Sequence, residues 1–504
     1  MRKPLFHSAF WIVGAVLGFL LSMTTACSNK NREPAGPRDT LVVVLPNDFT
    51  TLDPQKVPAT LDINFITNIF DTLVTLDSNQ KIIPSLAKSW TVSDDGLVYT
   101  FELERGVKFH NGKDFTASDV VYSVTRFTAE EWMEFAAFSV RDAEVVDDYT
   151  VRINLKHPYA KILSLLIDLF IIDEETFREQ GEERAAREPV GTGAYKFVSW
   201  EPARQIRLES NDNYFRGKPP IKNLIFKIIP DSNTAFVALE TGEADLSFSA
   251  TASDFLHAAD EPNLGTDKVA GSRYVSVSYN ADRVDEKTRQ ALSYAVDREA
   301  INTIATEGTG TLTLLPLIPG EEGYTTDLVT YPYDPEKAGS LLASAGKPNL
   351  KIDYFFQQNT RDTKIAQTLQ AQWQEAGVSL ELRPVETGTW WQLFGEGDYD
   401  VSRAGYPMLD DNTDASFFDS YHKNGTFNVG RINDPDINRL LEQARGELDR
   451  DNRNELYVRI NQIMAERAYH IPLFFVQETI VYNKDLRNVK ALRNARYQYR
   501  DFSW

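Results

Sequence analysis

Segments patterned as strands and segments patterned as helices alternate along almost the whole chain, and this interleaving predicts α/β domains whose sheets are covered by helices. Two further observations narrow the class. A chain of 504 residues is long enough for two or three domains with substantial cores. A content of 42% hydrophobic and 12% aromatic residues excludes a largely disordered chain. Past the first 39 residues there is no low-complexity block and no repeat of solenoid period.

The strand-like runs are Leu41 to Leu45, Tyr99 to Leu103, Tyr149 to Leu155, Tyr195 to Trp200, Gln205 to Leu208, Leu224 to Ile229, Tyr274 to Tyr279, Ile352 to Phe356 and Val378 to Leu382. Helices carry punctuation. Thr116 with Asp119 three residues on resembles a capping box ahead of Val120, Val121 and Val124. Asp334, Pro335 and Glu336 read as an N-cap with proline in the first turn, and Gly346 closes that helix. Amphipathic helical spacing also marks Arg289 to Ile304, Thr363 to Ala376 and the segments after Asp434-Pro435 and Asp451. The chain beyond Asn280 is the richer in helix, which places a domain boundary near there.

The N-terminus predicts export. Arg2 and Lys3 precede thirteen uncharged, mostly bulky residues from Ala9 to Leu21, then Ser22, Thr24, Thr25, Ala26 and the only cysteine, Cys27. That run is shorter than the roughly 20 apolar residues of a spanning helix and fits the apolar region of a signal peptide. Thr-Thr-Ala-Cys resembles the lipobox of bacterial lipoproteins, which implies a signal at residues 1–26, lipidation of Cys27 and a tether at 27–39 that contains Pro34, Gly36 and Pro37. The alternative is a plain secretory signal with Cys27 incidental. Either way the folded body has no disulfide and no thiolate metal site.

The formal charge is -20, and loss of Arg2 and Lys3 with the signal takes it to -22. That sign repels phosphate backbones and anionic lipid, so neither nucleic acid nor a bare membrane surface is an expected partner. His-Glu-x-x-His, Gly-x-Ser-x-Gly and Gly-x-Gly-x-x-Gly are absent, and the six histidines show no metal-ligand spacing. Gly106 to Lys113 departs from a phosphate loop, with five residues between its glycines and Asp114 after the lysine. No enzyme activity, cofactor or metal is expected. Adjacent acids such as Glu130 with Glu131, or Asp410 with Asp411, leave an exported hydrolase as a remote alternative.

Four segments together resemble the peptide-binding family of periplasmic and lipoprotein solute receptors that feed ABC importers, known as solute-binding protein family 5. They are Pro84 to Trp90 continuing through Gly96, Tyr99, Phe101, Phe109 and Asp119; Gly191-Thr-Gly193-Ala-Tyr195 with Asn213-Tyr214 and Gly217-Lys-Pro219; Tyr279-Asn280 followed by Arg289 to Arg298; and Tyr333 to Gly346. The resemblance runs from about Leu41 to about Asn483. Read from the residues alone, these motifs are scaffold: Trp90, Phe101, Val107 and Phe109 as core, Gly191 and Gly193 as positions of unusual dihedrals, Asp297 with Arg298 as a helix-end pair. The resemblance implies a two-lobed α/β fold of the periplasmic-binding-protein type, class II, with an extra subdomain. The first lobe would comprise 40–279 and 476–504, with the subdomain at about 77–189, and the second lobe 280–475. Hinge closure on a ligand would then be read by the permease.

Arg403-Ala-Gly-Tyr406 followed by Asp410 to Phe418 resembles the segment that carries the ligand-anchoring acid in the peptide receptors. Counting back from Phe417 and Phe418 sets Asp410 at the aspartate that pairs with a peptide's α-ammonium group, with Asp411 as the alternative anchor. Without that resemblance the residues would read as an acidic turn. Arg403 resembles a position that reaches a peptide carboxylate, and a structural salt bridge is an equal reading. Trp390, Trp391 and Tyr406 are candidates for the cleft wall, with core packing for at least one tryptophan, since the pair would lie on opposite sides of an extended strand. Phe49, in the loop after the first strand, is a weaker candidate. The expected protein is an extracytoplasmic, lipid-anchored monomer in the periplasm or at the cell surface that delivers peptides to an ABC permease. A nickel chelate, haem or an oligosaccharide is the alternative ligand on the same scaffold.

Overall fold

The computed structural model describes residues 38–56, 60–77, 81–130, 139–248, 250–405 and 413–504. Cys27, Tyr406, Asp410 and Asp411 lie outside these described residues.

Two long strands, Leu264–Tyr279 and His470–Asn483, pair antiparallel and run through both lobes. Their ladder changes register between Ala270 and Tyr274, which divides it into two halves. One half continues into a sheet in the order Leu246–Ser247, Thr40–Leu45, Asn223–Ile228, Gln205–Ser210 and Tyr195–Glu201. The other continues through Val401–Ala404 and Lys351–Gln357 to Ser379–Val385. Leu41, Val43, Val44 and Leu45 are all buried, as expected of a strand whose sheet is covered on both faces.

Strand direction decides where a ligand can sit. Thr40–Leu45 is parallel to Asn223–Ile228 and Leu246–Ser247, and the last of these is antiparallel to His470–Asn483. These three therefore run in the sense of Leu264–Tyr279, out of the first lobe and toward the second. Lys351–Gln357 is parallel to Ser379–Val385 and Val401–Ala404, and Val401–Ala404 is antiparallel to Leu264–Tyr279. The second set therefore runs toward the first lobe. The carboxyl ends of the parallel strands face each other across the register shift.

A separate antiparallel sheet in the order Ala87–Val92, Val98–Leu103, Thr150–Leu155 and Val140–Asp147 packs with helix Ala117–Phe127 on a core that includes Phe101, Val107, Phe109, Phe115 and Val120. Asp119 caps that helix by accepting from the Thr116 N–H at 2.9 Å. Asp334 likewise accepts from Lys337 N at 2.8 Å and starts helix Pro335–Ser344.

Several expectations change. Arg289 to Ile304 is two helices, Glu286–Tyr294 and Arg298–Thr306, because the Asp297 carboxylate accepts from Ala300 N at 3.0 Å and restarts the chain. The helix expected after Asp451 is Arg450–Glu466, capped by Asp449. Gly191 and Gly193 do not hold left-handed dihedrals. They are small because the Ile69 backbone passes over them, so that an added Cβ would stand 2.1 Å and 2.5 Å from it. Among the described residues no helix is long and apolar enough to cross a membrane.

Candidate functional site

In open α/β sheets, ligands sit outside the carboxyl ends of the strands where strand order or direction switches. Here that region lies between the facing strand ends. From the first lobe it receives the loop after Thr40–Leu45. From the second it receives the starts of helices Thr360–Glu375 and Thr387–Glu396 and Gly405 at the end of Val401–Ala404. Gly405 and Thr413 are each held in place. At Gly405 an added Cβ would approach Tyr274 O at 2.5 Å, and Thr413 Oγ1 donates to the Glu322 carbonyl at 3.3 Å.

Arg403 stands at this edge but is not free to swing. Its Nε donates to Asp362 at 3.1 Å and its Nη1 to Gly405 O at 3.3 Å. Asp362 is fully buried in the first turn of its helix, where it also accepts from Arg361 Nε at 3.3 Å and Asn359 Nδ2 at 2.8 Å. The Asp362 carboxylate thus fixes two guanidiniums by their inner nitrogens. Sequence reasoning missed Arg361 and Asp362 because an Asn-x-x-Asp at a helix start reads as a cap, and here it is one as well.

The tryptophans are helical rather than extended, since Thr387–Glu396 carries both. Trp390 is buried against Phe355 and Phe394, with ring centroids 5.7 Å and 5.5 Å away, so its role is packing. Trp391 is 45% exposed and meets Phe427, itself exposed, at 5.7 Å. Phe427 had no sequence signal beyond its aromatic type. Phe49 points inward instead of into the gap: it is buried and lies 4.7 Å from the Phe65 ring in the first-lobe core.

The hinge contributes charge. Arg273 lies within the register shift and is exposed. Burial pushes the Glu478 carboxyl above its usual range, and the positive charge of Arg273 opposes that rise. Burial also lowers the Arg361 guanidinium from its ordinary value, with the Asp362 charge opposing.

The sequence model for bacterial extracellular solute-binding proteins, family 5, matches residues 81–428. The chain belongs to that family. This receptor is 32% identical over 435 residues to heme-binding protein A of Haemophilus influenzae, covering 78% of each chain. It is 28% identical to the dipeptide-binding protein of Escherichia coli K12, covering 88% of each. The solved structure of HbpA2 from Haemophilus parasuis superposes with a TM-score of 0.86 at 27% identity, covering 92% of this chain and 99% of that one. The two-lobed α/β architecture and an extracytoplasmic place of action go with membership.

Proposed function

We propose that this receptor captures short peptides between its lobes and delivers them, as a monomer, to an ABC permease. The observation that carries the reading is the convergence of strand carboxyl ends from both lobes on the gap that Gly405 borders, together with membership of a solute-binding family. In this reading Asp410, or Asp411 beside it, receives the α-ammonium group, and Arg403 offers its outer guanidinium nitrogen to a carboxylate. Tyr406 and Trp391 wall the site. Side chains of the peptide sit in tolerant, hydrated pockets.

Calorimetry with di- to pentapeptides and their N-acetylated counterparts tests this. Unblocked peptides are expected to bind and blocked ones to bind far more weakly; equal affinity removes the carboxylate anchor. A relative named for heme and the exposed Trp391–Phe427 pair favour haem as a second reading. Growth of a shifted Soret band on titration, with no heat from any peptide, would select it.

Anchoring belongs to the same proposal. Lipidation of Cys27 holds the receptor at the membrane, with more than one acyl chain supplying stable attachment. Cys27→Ala is expected to abolish palmitate labelling and to release the protein from the membrane fraction. Labelling that persists in the variant refutes the anchor.

A further inference from the structure

We propose that Arg361 and Arg273 form an anionic subsite beside Arg403, so that this receptor prefers peptides carrying a second carboxylate in addition to the C-terminal one. The inference rests on the peptide reading above and names the class of peptide.

Asp362 is the starting point. Both Arg361 and Arg403 spend their Nε on its carboxylate, and Asn359 takes part of what remains. Each guanidinium has further donors. Among the described residues, neither terminal nitrogen of Arg361 has a partner, although its side chain is only 25% exposed. Arg273 makes no ion pair or hydrogen bond among the described residues, and it immediately precedes Tyr274, whose carbonyl oxygen packs on Gly405 beside the Arg403 guanidinium; its charge and that of Arg361 repel. Tyr354 is fully buried with a hydroxyl that lacks a described partner, and it feels the charges of both Asp362 and Arg403.

The local balance is three arginines against Asp362 and Glu478, in a chain whose formal charge is -20. Asp362 is the buried group that holds the arrangement together, and its single charge is shared by the Arg361 and Arg403 guanidiniums. The N-terminus of the 16-residue helix Thr360–Glu375 adds positive potential at the same place. The Arg361 guanidinium, fixed at its inner end and open at its outer end, suits a planar carboxylate that can accept two parallel bonds, and Arg273 adds unpaired positive charge beside it. Arg403 already answers the C-terminus of the peptide, so the Arg361 and Arg273 donors remain for an acidic side chain.

The test compares Ala-Glu-Ala with Ala-Gln-Ala by calorimetry, because the two share shape and termini and differ in one carboxylate. The wild type is expected to favour Ala-Glu-Ala by roughly tenfold or more, with the preference shrinking as salt is added. Arg361→Met is expected to reduce that preference to below about threefold, and Arg273→Gln to reduce it in part. Circular dichroism confirms that each variant is folded, and the second variant decides the matter if the first is not. Binding of both tripeptides with equal affinity to the wild type overturns the subsite while leaving the peptide reading intact. Binding of neither overturns both.

Discussion

Asp410→Asn is expected to weaken binding of an unblocked peptide by about 2 to 5 kcal/mol, roughly thirtyfold to several thousandfold. The substitution keeps size and one hydrogen-bond acceptor but removes the negative charge, so the peptide ammonium would be desolvated against a neutral amide. The parallel variant Asp411→Asn separates the two candidates, since only the acid that faces the ligand should show the large effect. N-acetylated peptide provides the control. It has no ammonium to lose, so its weak binding should be nearly the same in wild type and in the decisive variant. An unchanged affinity in both single variants and in the double variant would eliminate this segment as the anchor.

Much of the scaffold was readable because burial on both faces writes long apolar runs into strands such as Thr40–Leu45 and Lys351–Gln357. His470–Asn483 was not readable. Its middle passes the hinge, where Gln477, Glu478 and Thr479 interrupt the apolar pattern and are only partly buried. The extended expectation for Trp390 and Trp391 failed for a local reason: Thr387, Gly388 and Thr389 are weak helix formers, and the helix forms because Trp390 can pack on Phe355. At the site, the position of Arg403 was legible but its partner was not. Asp362 is 41 residues away in sequence, and only the parallel pairing of Lys351–Gln357 with Val401–Ala404 brings it near. The Arg361 donors were hidden by the same fact.

Glu322→Ala is expected to destabilise the protein by about 3 to 5 kcal/mol, seen as a lower urea midpoint, because it strips two buried cations of the carboxylate that bonds both. Glu322 receives Lys161 Nζ at 3.1 Å, Arg453 Nε at 2.8 Å and Arg453 Nη2 at 2.9 Å, and all three side chains are at most 7% exposed. Burial alone would raise the Glu322 carboxyl, yet Arg453 and Lys161 hold it below the usual carboxylate range. A lowered folded value contributes stability that is fully present above the unfolded glutamate value of about 4.3 and is lost as pH falls through the folded one. The gap between wild type and variant should therefore be widest near neutral pH and narrow in acid. Lys161 belongs to the segment that follows the separate antiparallel sheet, and Ala160 N beside it donates to Arg445 O at 3.3 Å in the second lobe. The Glu322 carbonyl accepts from Thr413, which follows the proposed anchor Asp410 and Asp411 in sequence. The network thus joins the segment after the separate sheet to the second lobe and to Thr413. Lys161→Met separates the two roles: Glu322 keeps both bonds to Arg453, so most of the stability should remain, while the lost bond across the lobes should favour opening and weaken ligand binding several-fold. A Glu322→Ala variant that unfolds at the wild-type urea concentration would show that the buried charges contribute nothing net to the folded state.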